Sequence, residues 1–435
     1  MMSKFKLILL PLCAVAFIAL SYVIVTQARF ASRPDPANQP SADTAIAFWE
    51  KRVAQTPNAY IDYIYLGEAY ARKARETGAV DYYLRAEAAL RKALGINPNY
   101  PPASSSLSNV LFAMHDFKGA LALAEPLASV PKTAPSAWAT IGDAQLALGD
   151  YAEAEAAYQQ LAAINPGPST TSRLAFLADL NGDTAEALSL MEQAADRAWQ
   201  SGDYRENLAW YEYQVGEFNF KMGQLREAES HYQASFEVFD NYYLALAGLG
   251  KVRAAQGRYE AAIRFYEQAI AVVPQPDFLA ALGDLYALTG KPDDAQRQYD
   301  TIEFIGKLAE INQQVYNRQL ALFYADHDLQ LPKALTLTVT ELETRQDIFG
   351  YDAAAWAYYK NGQYEKAQAM MEQAMKLGTR DAKLYYHAGM IAQALGQTAE
   401  AEQLLSESLS INPHFDLRQA QIAQTTLDQL HAASN

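Results

Sequence analysis

Cysteine is nearly absent from this chain of 435 residues, and the single one, Cys13, lies in an apolar N-terminal run. A disulfide framework or a cysteine-built metal site within one chain is therefore excluded. Basic residues are also scarce, since 35 Lys and Arg stand against 50 Asp and Glu, for a formal net charge of −15. This balance disfavours nucleic acid as the main ligand, because a polyphosphate needs a basic surface. The 22 glycines and 18 prolines are too few for a collagen-like chain or one made mostly of linkers.

Recognisable catalytic motifs are missing as well. The sequence has no glycine-rich phosphate loop, no nucleophile elbow and no His-x-x-x-His pair. Its six histidines are scattered, and the most site-like, His327, stands between Asp326 and Asp328 in a segment that we interpret as a solvated turn. We therefore predict a protein that is not an enzyme and that uses neither a cofactor nor a metal.

A long apolar run lies near the N-terminus. Leu7 to Val25 spans 19 residues without a charge, and Lys4 and Lys6 precede it. As a helix, this run would rise roughly 28 Å, close to the hydrocarbon thickness of a bilayer. We predict a signal anchor over residues 1–28, with a cleaved signal peptide as the alternative, and a proline-rich linker over 29–43. The preceding lysines favour a cytoplasmic N-terminus and an exported body.

The rest of the chain repeats with a period near 34 residues. Glycine stands five residues before most members of an alanine column, and a second small residue, often glycine, stands twelve before several of them. In four units a tyrosine follows the alanine by four residues. The column consists of Ala86, Ala120, Ala154, Ala187, Ala228, Ala262, Ala295, Ala334, Ala367 and Ala401.

Each position of this pattern has a physical reason. The glycine closer to the alanine ends a helix where a left-handed backbone is needed. The other small residue and the alanine mark a close approach of two helices, and the tyrosine one turn later fills the space beside it. Each unit is thus predicted to be a helix–turn–helix, and such units must stack to bury their apolar faces.

The unit resembles a tetratricopeptide repeat, whose pattern runs from a Trp through Leu-Gly, Ala and an aromatic residue to a Pro. One stretch matches this pattern with Trp138, Ile141, Gly142, Ala154, Tyr158 and Pro166. The resemblance implies an all-α fold, a right-handed superhelical solenoid of about ten repeats with a concave groove. It covers roughly residues 58 to 413, with a half unit at 44–57. We expect the solenoid over residues 44–416 and a C-terminal capping helix and tail over 417–435.

Three units are longer than the period. The first carries about seven extra residues around 75–83, which we place between its two helices. In the other two units, we expect the extra residues to lengthen the second helix. In one unit this helix would extend up to Gly202, and in the other it would extend through residues 302–311.

The resemblance also implies that the first helix of each unit lines the groove and that the usual function is binding other proteins or peptides. Carried onto this sequence, the groove positions that we predict to contact a partner are Trp210, Tyr213, Glu217, Phe220, Asp284, Trp356, Tyr359, Tyr386 and Met390. Aromatic residues with acids among them suit a peptide or helix bearing apolar and basic side chains. The alternative, that these aromatics belong to the core between repeats, stays open. An acidic peptide tail is disfavoured, because Glu68, Asp143, Glu217 and Asp284 stand where a carboxylate clamp would need Lys and Asn.

Some segments are similar to a group of exported bacterial repeat proteins, for example YLGEAYARKARETG (65–78) and DAKLYYHAGMIAQALG (381–396). We therefore predict a non-catalytic scaffold that docks partner proteins on the extracytoplasmic side of a bacterial membrane. It would be anchored in the inner membrane, or periplasmic or secreted if the N-terminal segment is cleaved. The alternative function is a carrier of a small apolar ligand or lipid inside the superhelix.

Overall fold

The computed structural model describes residues 40–311 and 318–434, and the regular structure in this part of the chain is helical throughout. The first half contains α1 (Ala42–Gln55), α2 (Tyr60–Thr77), α3 (Asp81–Ile96), α4 (Pro101–Ala113), α5 (Phe117–Ala124), α6 (Ala134–Leu148), α7 (Tyr151–Ile164), α8 (Pro168–Leu180), α9 (Thr184–Ser201), α10 (Arg205–Lys221) and α11 (Leu225–Val238). The second half contains α12 (Tyr243–Ala255), α13 (Tyr259–Val272), α14 (Pro276–Leu288), α15 (Pro292–Ile311), α16 (Arg318–Asp326), α17 (Leu331–Glu341), α18 (Ile348–Lys360), α19 (Tyr364–Ala374), α20 (Ala382–Ala394), α21 (Thr398–Ile411) and α22 (Gln419–Ser434).

The helices pack in consecutive pairs, which confirms the predicted repeat. Ten pairs run from α2–α3, which we call unit 1, to α20–α21, which is unit 10. The single helix α1 precedes them and α22 follows. Every alanine of the column is buried, with at most 3% of its surface exposed. The predicted anchor over residues 1–28 and most of the linker lie outside the described residues. Within the described residues, no helix combines the length and apolar character needed to cross a membrane.

The predicted close approach of paired helices is confirmed at the small residues. A Cβ atom on Gly216 would lie 2.6 Å from a ring carbon of Tyr232, and one on Gly250 would lie 2.8 Å from the ring of Tyr266. Both separations are too short for real carbon atoms, so only glycine fits there while the tyrosine keeps its position. The tyrosine and the glycine therefore recur together because they pack against each other.

Two of the three long units are built as predicted, and one is not. Helix α9 runs on to Ser201 and ends at Gly202, and α15 runs through 302–311. In unit 1, however, α2 extends to Thr77 and α3 begins at Asp81, so the extra residues lengthen the helices instead of forming an inserted segment between them. The added turn brings Arg75 within 3.4 Å of Glu206, which lies four units further along the chain.

The superhelix closes on itself, because the turns inside units 3, 4 and 5 touch the loops that follow units 8, 9 and 10. The backbone N–H of Gln346 donates to the carbonyl oxygen of Ala147 at 2.9 Å. The hydroxyl of Thr379 donates to the carbonyl oxygen of Leu180, and the side-chain amide of Asn412 donates to that of Phe220 at 2.8 Å. We call these three contacts the seam. They join successive turns of the superhelix along one side of the concave face.

Candidate functional site

The concave face forms a cavity of about 1340 Å³ inside the closed superhelix. Its wall comes mainly from the first helices of consecutive units, α10, α12, α14 and α16, with residues of α8, α18 and α20 at its ends. Residues 412–424, from the end of the chain, form the remaining side. The expectation that the first helix of each unit lines the concave face is therefore confirmed for these units.

The cavity wall is strongly charged. Eight carboxylates line it, against five Lys and Arg side chains. The acids are Asp179, Glu217, Asp277, Asp284, Asp326, Asp352, Asp381 and Asp416, and the cations are Lys221, Lys251, Arg318, Lys383 and Arg418. A wall of this kind stays hydrated when empty, because charged groups lose a large solvation energy in an apolar environment.

A ladder of ion pairs holds many of the acids in place. An acid on the first helix of one unit pairs with a cation on the first helix of the next. The pairs are Asp143 with Arg173 at 2.6 Å, Asp179 with Lys221 at 2.8 Å and Glu217 with Lys251 at 2.8 Å. Two of the acids predicted from the sequence, Asp143 and Glu217, are thus paired with a neighbouring cation, and the remaining negative charge comes from fewer positions.

Asp277 is one of these positions. It lies in the first turn of α14 and is exposed to the cavity. The surrounding protein raises the pKa of this carboxyl by desolvation, while backbone N–H groups and the charge of Lys251 oppose that effect. No ion pair of Asp277 within 4.0 Å occurs among the described residues. Its carboxylate is therefore available to a cation brought into the cavity.

His327 lies in the cavity wall, not in a solvated turn as its sequence context predicted. Its Nε2 is 2.8 Å from Oδ1 of Asp284, and its ring centroid is 4.6 Å from that of Phe323. Tyr299 donates its hydroxyl to the same carboxylate at 2.7 Å. No sequence pattern indicates this cluster, because Asp284 and His327 lie 43 residues apart.

Four of the predicted contact residues line the cavity: Tyr213, Glu217, Phe220 and Asp284. Phe220 is 6% exposed and lies beneath the Lys251 ammonium, which is 4.7 Å from the ring centroid. Their role in binding a partner stays a prediction. Trp210 is half-buried and packs beside Phe176 in the core of units 4 and 5.

The other four predicted contact residues lie away from the cavity. Trp356 and Tyr386 are each 2% exposed and Met390 is 9% exposed, so they are core residues and offer a partner almost no surface. Tyr359 is half-buried and stacks on Trp356, with ring centroids 4.8 Å apart. The structure therefore corrects the expectation that these four residues form a contact surface. They belong to the core between repeats, which is the alternative noted above.

The indole of Trp356 belongs to a buried polar network at the end of the cavity. Its Nε1 donates to Oδ1 of Asp326 at 2.7 Å, and its ring stacks on His387 with centroids 4.1 Å apart. Burial by itself raises the pKa of Asp326, but the charges of its neighbours, Lys383 first, and the hydrogen bonds from Trp356 and Lys383 together outweigh it and leave the pKa below its usual value. Asp326 is thus an anionic anchor for the helices around it. In the part of the chain described, no group of three or more His, Cys, Asp or Glu could hold a metal ion.

Comparison with known sequences agrees with this geometry. Models of the tetratricopeptide repeat match residues 135–168, 168–193, 212–275, 248–303 and 358–427. The chain is a tetratricopeptide repeat protein. The TPR repeat-containing protein YpiA of Bacillus subtilis is 22% identical to it over 253 residues, which are 57% of this chain and 49% of YpiA. The chain therefore matches only about half the length of that relative.

Solved structures with a similar fold include yeast Tom70 and a human IFIT1 dimer with PPP-AAAA. Tom70 is 14% identical, with a TM-score of 0.35, and the match covers 90% of this TPR protein and 93% of Tom70. IFIT1 is 14% identical, with a TM-score of 0.42, and the match covers 77% of this TPR protein and 94% of IFIT1.

Proposed function

We propose that this TPR protein is a non-catalytic scaffold that binds a polypeptide segment of a partner protein in its concave cavity. The observation that carries the proposal is the wall itself, in which first helices of successive units present aromatic rings and unbalanced carboxylates to one cavity. Such surfaces accept peptides through apolar anchors combined with a few oriented polar contacts.

The charge of the wall supports a basic and apolar partner. The carboxylates outnumber the Lys and Arg side chains, and Asp277 faces the cavity from the start of α14. The half-buried rings of Phe176, Tyr213 and Phe349 line the same space and provide apolar contacts. An arginine or lysine flanked by apolar side chains would satisfy both features.

A polypeptide fits this wall better than a lipid does. An acyl chain needs a continuous apolar lining, since burying it against carboxylates and ammonium groups would strip their hydration without replacing it. A peptide carries its own backbone donors and acceptors and can replace that hydration. We therefore favour the scaffold over the carrier of an apolar ligand.

The cellular location is part of the proposal and rests on the sequence alone. The uncharged run from Leu7 to Val25 supports an anchor in a bacterial inner membrane with the repeats on the extracytoplasmic side. Alkaline carbonate extraction tests the anchor, because an anchored protein stays with the membrane pellet and a peripheral one is released.

Selection from a phage-displayed random peptide library tests the binding function. We expect the purified chain to enrich peptides that combine Arg or Lys with aromatic or aliphatic residues, and their affinity to fall with added salt. Asp277→Asn should weaken binding of these peptides by about five- to tenfold, since it removes one unpaired charge. Asp240→Asn is the matched control, because Asp240 is exposed and does not line the cavity.

Two results would contradict the proposal. One is a library that yields no enriched peptide. The other is a set of enriched peptides that bind both variants as tightly as they bind the unmodified chain, because their site would then lie outside the cavity.

A further inference from the structure

The chain's own C-terminal segment forms one side of the cavity. After α21 ends at Ile411, residues 412–418 cross the concave face before α22 begins at Gln419. Helix α22 does cap the last unit as predicted, since Ala423 and Leu427 are buried beside Leu405 and Met390. The crossing segment goes beyond that task, because it also reaches helices of units 5, 6 and 7, which lie three to five units before the last unit.

Four contacts show the path of the segment. Asn412 donates its side-chain amide to the carbonyl oxygen of Phe220, at the end of α10. The ring of Phe415 lies 5.6 Å from that of Tyr386, and Leu417 packs on the apolar cluster of α12, α13 and α14. Arg418 is 3.5 Å from Asp284 on α14.

The next residue extends this series into the polar network at the end of the cavity. Gln419 is 5% exposed and donates its Nε2 to Oδ1 of Asp326 at 2.7 Å. The segment therefore offers the wall two apolar side chains, an arginine and an amide in the order Phe415, Leu417, Arg418 and Gln419, and Asp416, one of the eight carboxylates counted above, lies between the two apolar residues. Apolar and basic groups in close sequence are also the chemistry of the proposed partner.

The hold of the segment on the wall is moderate. The side chain of Arg418 is 42% exposed, so its ion pair is screened by solvent and contributes little. Phe415 and Leu417 are only partly buried. The contacts of Phe415, Leu417 and Arg418 can be exchanged for equivalent ones from another polypeptide, whose own amide can replace the hydrogen bond that the buried Gln419 donates to Asp326.

We infer that residues 413–419 act as an internal occupant of the binding cavity, and that a partner binds by displacing them with a segment of the same chemistry. This inference rests on the proposed function and adds its regulation. The displaced sequence gives the order that a partner segment should follow, which is two apolar residues near each other with an arginine directly after the second.

The test uses a fluorescein-labelled peptide with the sequence of residues 413–424, PHFDLRQAQIAQ. The full chain should bind it weakly, because the internal segment competes at a high effective concentration. A full chain carrying Leu417→Ser and Arg418→Glu should bind the same peptide at least about tenfold more tightly, since its own segment no longer fits the wall. A scrambled peptide of equal composition should bind neither protein.

The control is Arg226→Glu, which reverses an exposed charge on α11 away from the cavity and should leave peptide affinity unchanged. Circular dichroism melting checks the fold of each protein. Should the double variant melt early, Arg418→Glu alone decides, because its exposed side chain is not needed for folding; we expect about threefold tighter peptide binding from it.

The inference is overturned if neither variant binds the peptide more tightly than the unmodified chain, or if the scrambled peptide binds equally well. Peptides from the library keep the two proposals separate. If they bind through Asp277 while the 413–424 peptide binds no protein, the partner function stands and the internal occupant is refuted.

Discussion

The seam makes a prediction that two glycine substitutions can isolate. Gly182 ends α8 with φ +82°, and a methyl group there would lie 2.5 Å from the carbonyl oxygen of Gly378 across the seam. Gly257 has the same place in its own unit with φ +70°, and an added carbon would meet no neighbouring atom within 4 Å. Gly182→Ala and Gly257→Ala therefore share the backbone strain of a left-handed alanine and differ in the steric clash.

The expected difference in unfolding free energy between the two variants follows from the contacts at each glycine. The left-handed backbone costs alanine about 1–2 kcal/mol at either position. The clash with Gly378 adds about 1–3 kcal/mol of overpacking. Displacing the loop also breaks the hydrogen bond from Thr379 to Leu180, worth about 1 kcal/mol. We expect Gly182→Ala to lower the free energy of unfolding by roughly 2–4 kcal/mol more than Gly257→Ala.

Urea unfolding followed by circular dichroism measures the total loss of unfolding free energy, and amide hydrogen exchange shows which part of the chain is destabilised. Exchange is needed because stacked repeats open in parts and need not unfold in one step. In Gly182→Ala, peptides that cover residues 376–381 should exchange faster, and in Gly257→Ala they should not. Equal unfolding curves and equal exchange in the two variants would refute the contact between successive turns of the superhelix.

Three further substitutions test the account of charge and burial. The pKa of His115 is lowered to about 4 by burial, helped by Arg345. The stability from keeping this ring neutral is fully present above its ordinary pKa of 6.5 and is lost as the pH falls toward 4. Between about pH 7 and about pH 4.5, His115→Asn should therefore lose roughly 2 kcal/mol less unfolding free energy than the unmodified chain. An unchanged dependence of unfolding free energy on pH would contradict this. Trp356→Ala should destabilise the chain by about 3–5 kcal/mol in urea unfolding, and a stable variant would show that Trp356 is not core. Asp143→Asn should cost about 2 kcal/mol by leaving Arg173 unpaired. The control Asp81→Asn breaks an exposed helical pair and should cost roughly 0.5 kcal/mol or less; equal losses would contradict the ladder.

The repeat was predictable because its geometry restricts residue size. Gly250 must be small for Tyr266 to lie against its helix, and this requirement recurs in unit after unit. Steric demands of this kind recur at a fixed spacing, so a single sequence is enough to reveal the pattern.

The seam was not predictable from the sequence for the opposite reason. Its hydrogen bonds end on backbone carbonyl groups of Ala147, Leu180 and Phe220, which every residue type carries. The partners lie 192 and 199 residues apart in two of the three contacts, so no local pattern joins them. The pitch of the superhelix decides which loops meet, and it results from many small packing angles.

The candidate site was predicted in part. Tyr213, Glu217, Phe220 and Asp284 line the cavity because groove positions on first helices follow from the repeat. Near the C-terminus the same rule failed, since Phe415 and α22 cover Tyr386 and its neighbours. A capping helix was expected there, but its approach across the concave face depends on the closed superhelix and not on the local sequence.

Hydrogen exchange of the full chain, with and without a library-selected peptide, reports at once on the cavity wall and on the C-terminal segment. We expect slower exchange in α10, α12 and α14, whose faces line the cavity, together with faster exchange in residues 413–419 as the peptide displaces them. Slower exchange confined to α11 and α13, on the outer side of the same units, would contradict this expectation.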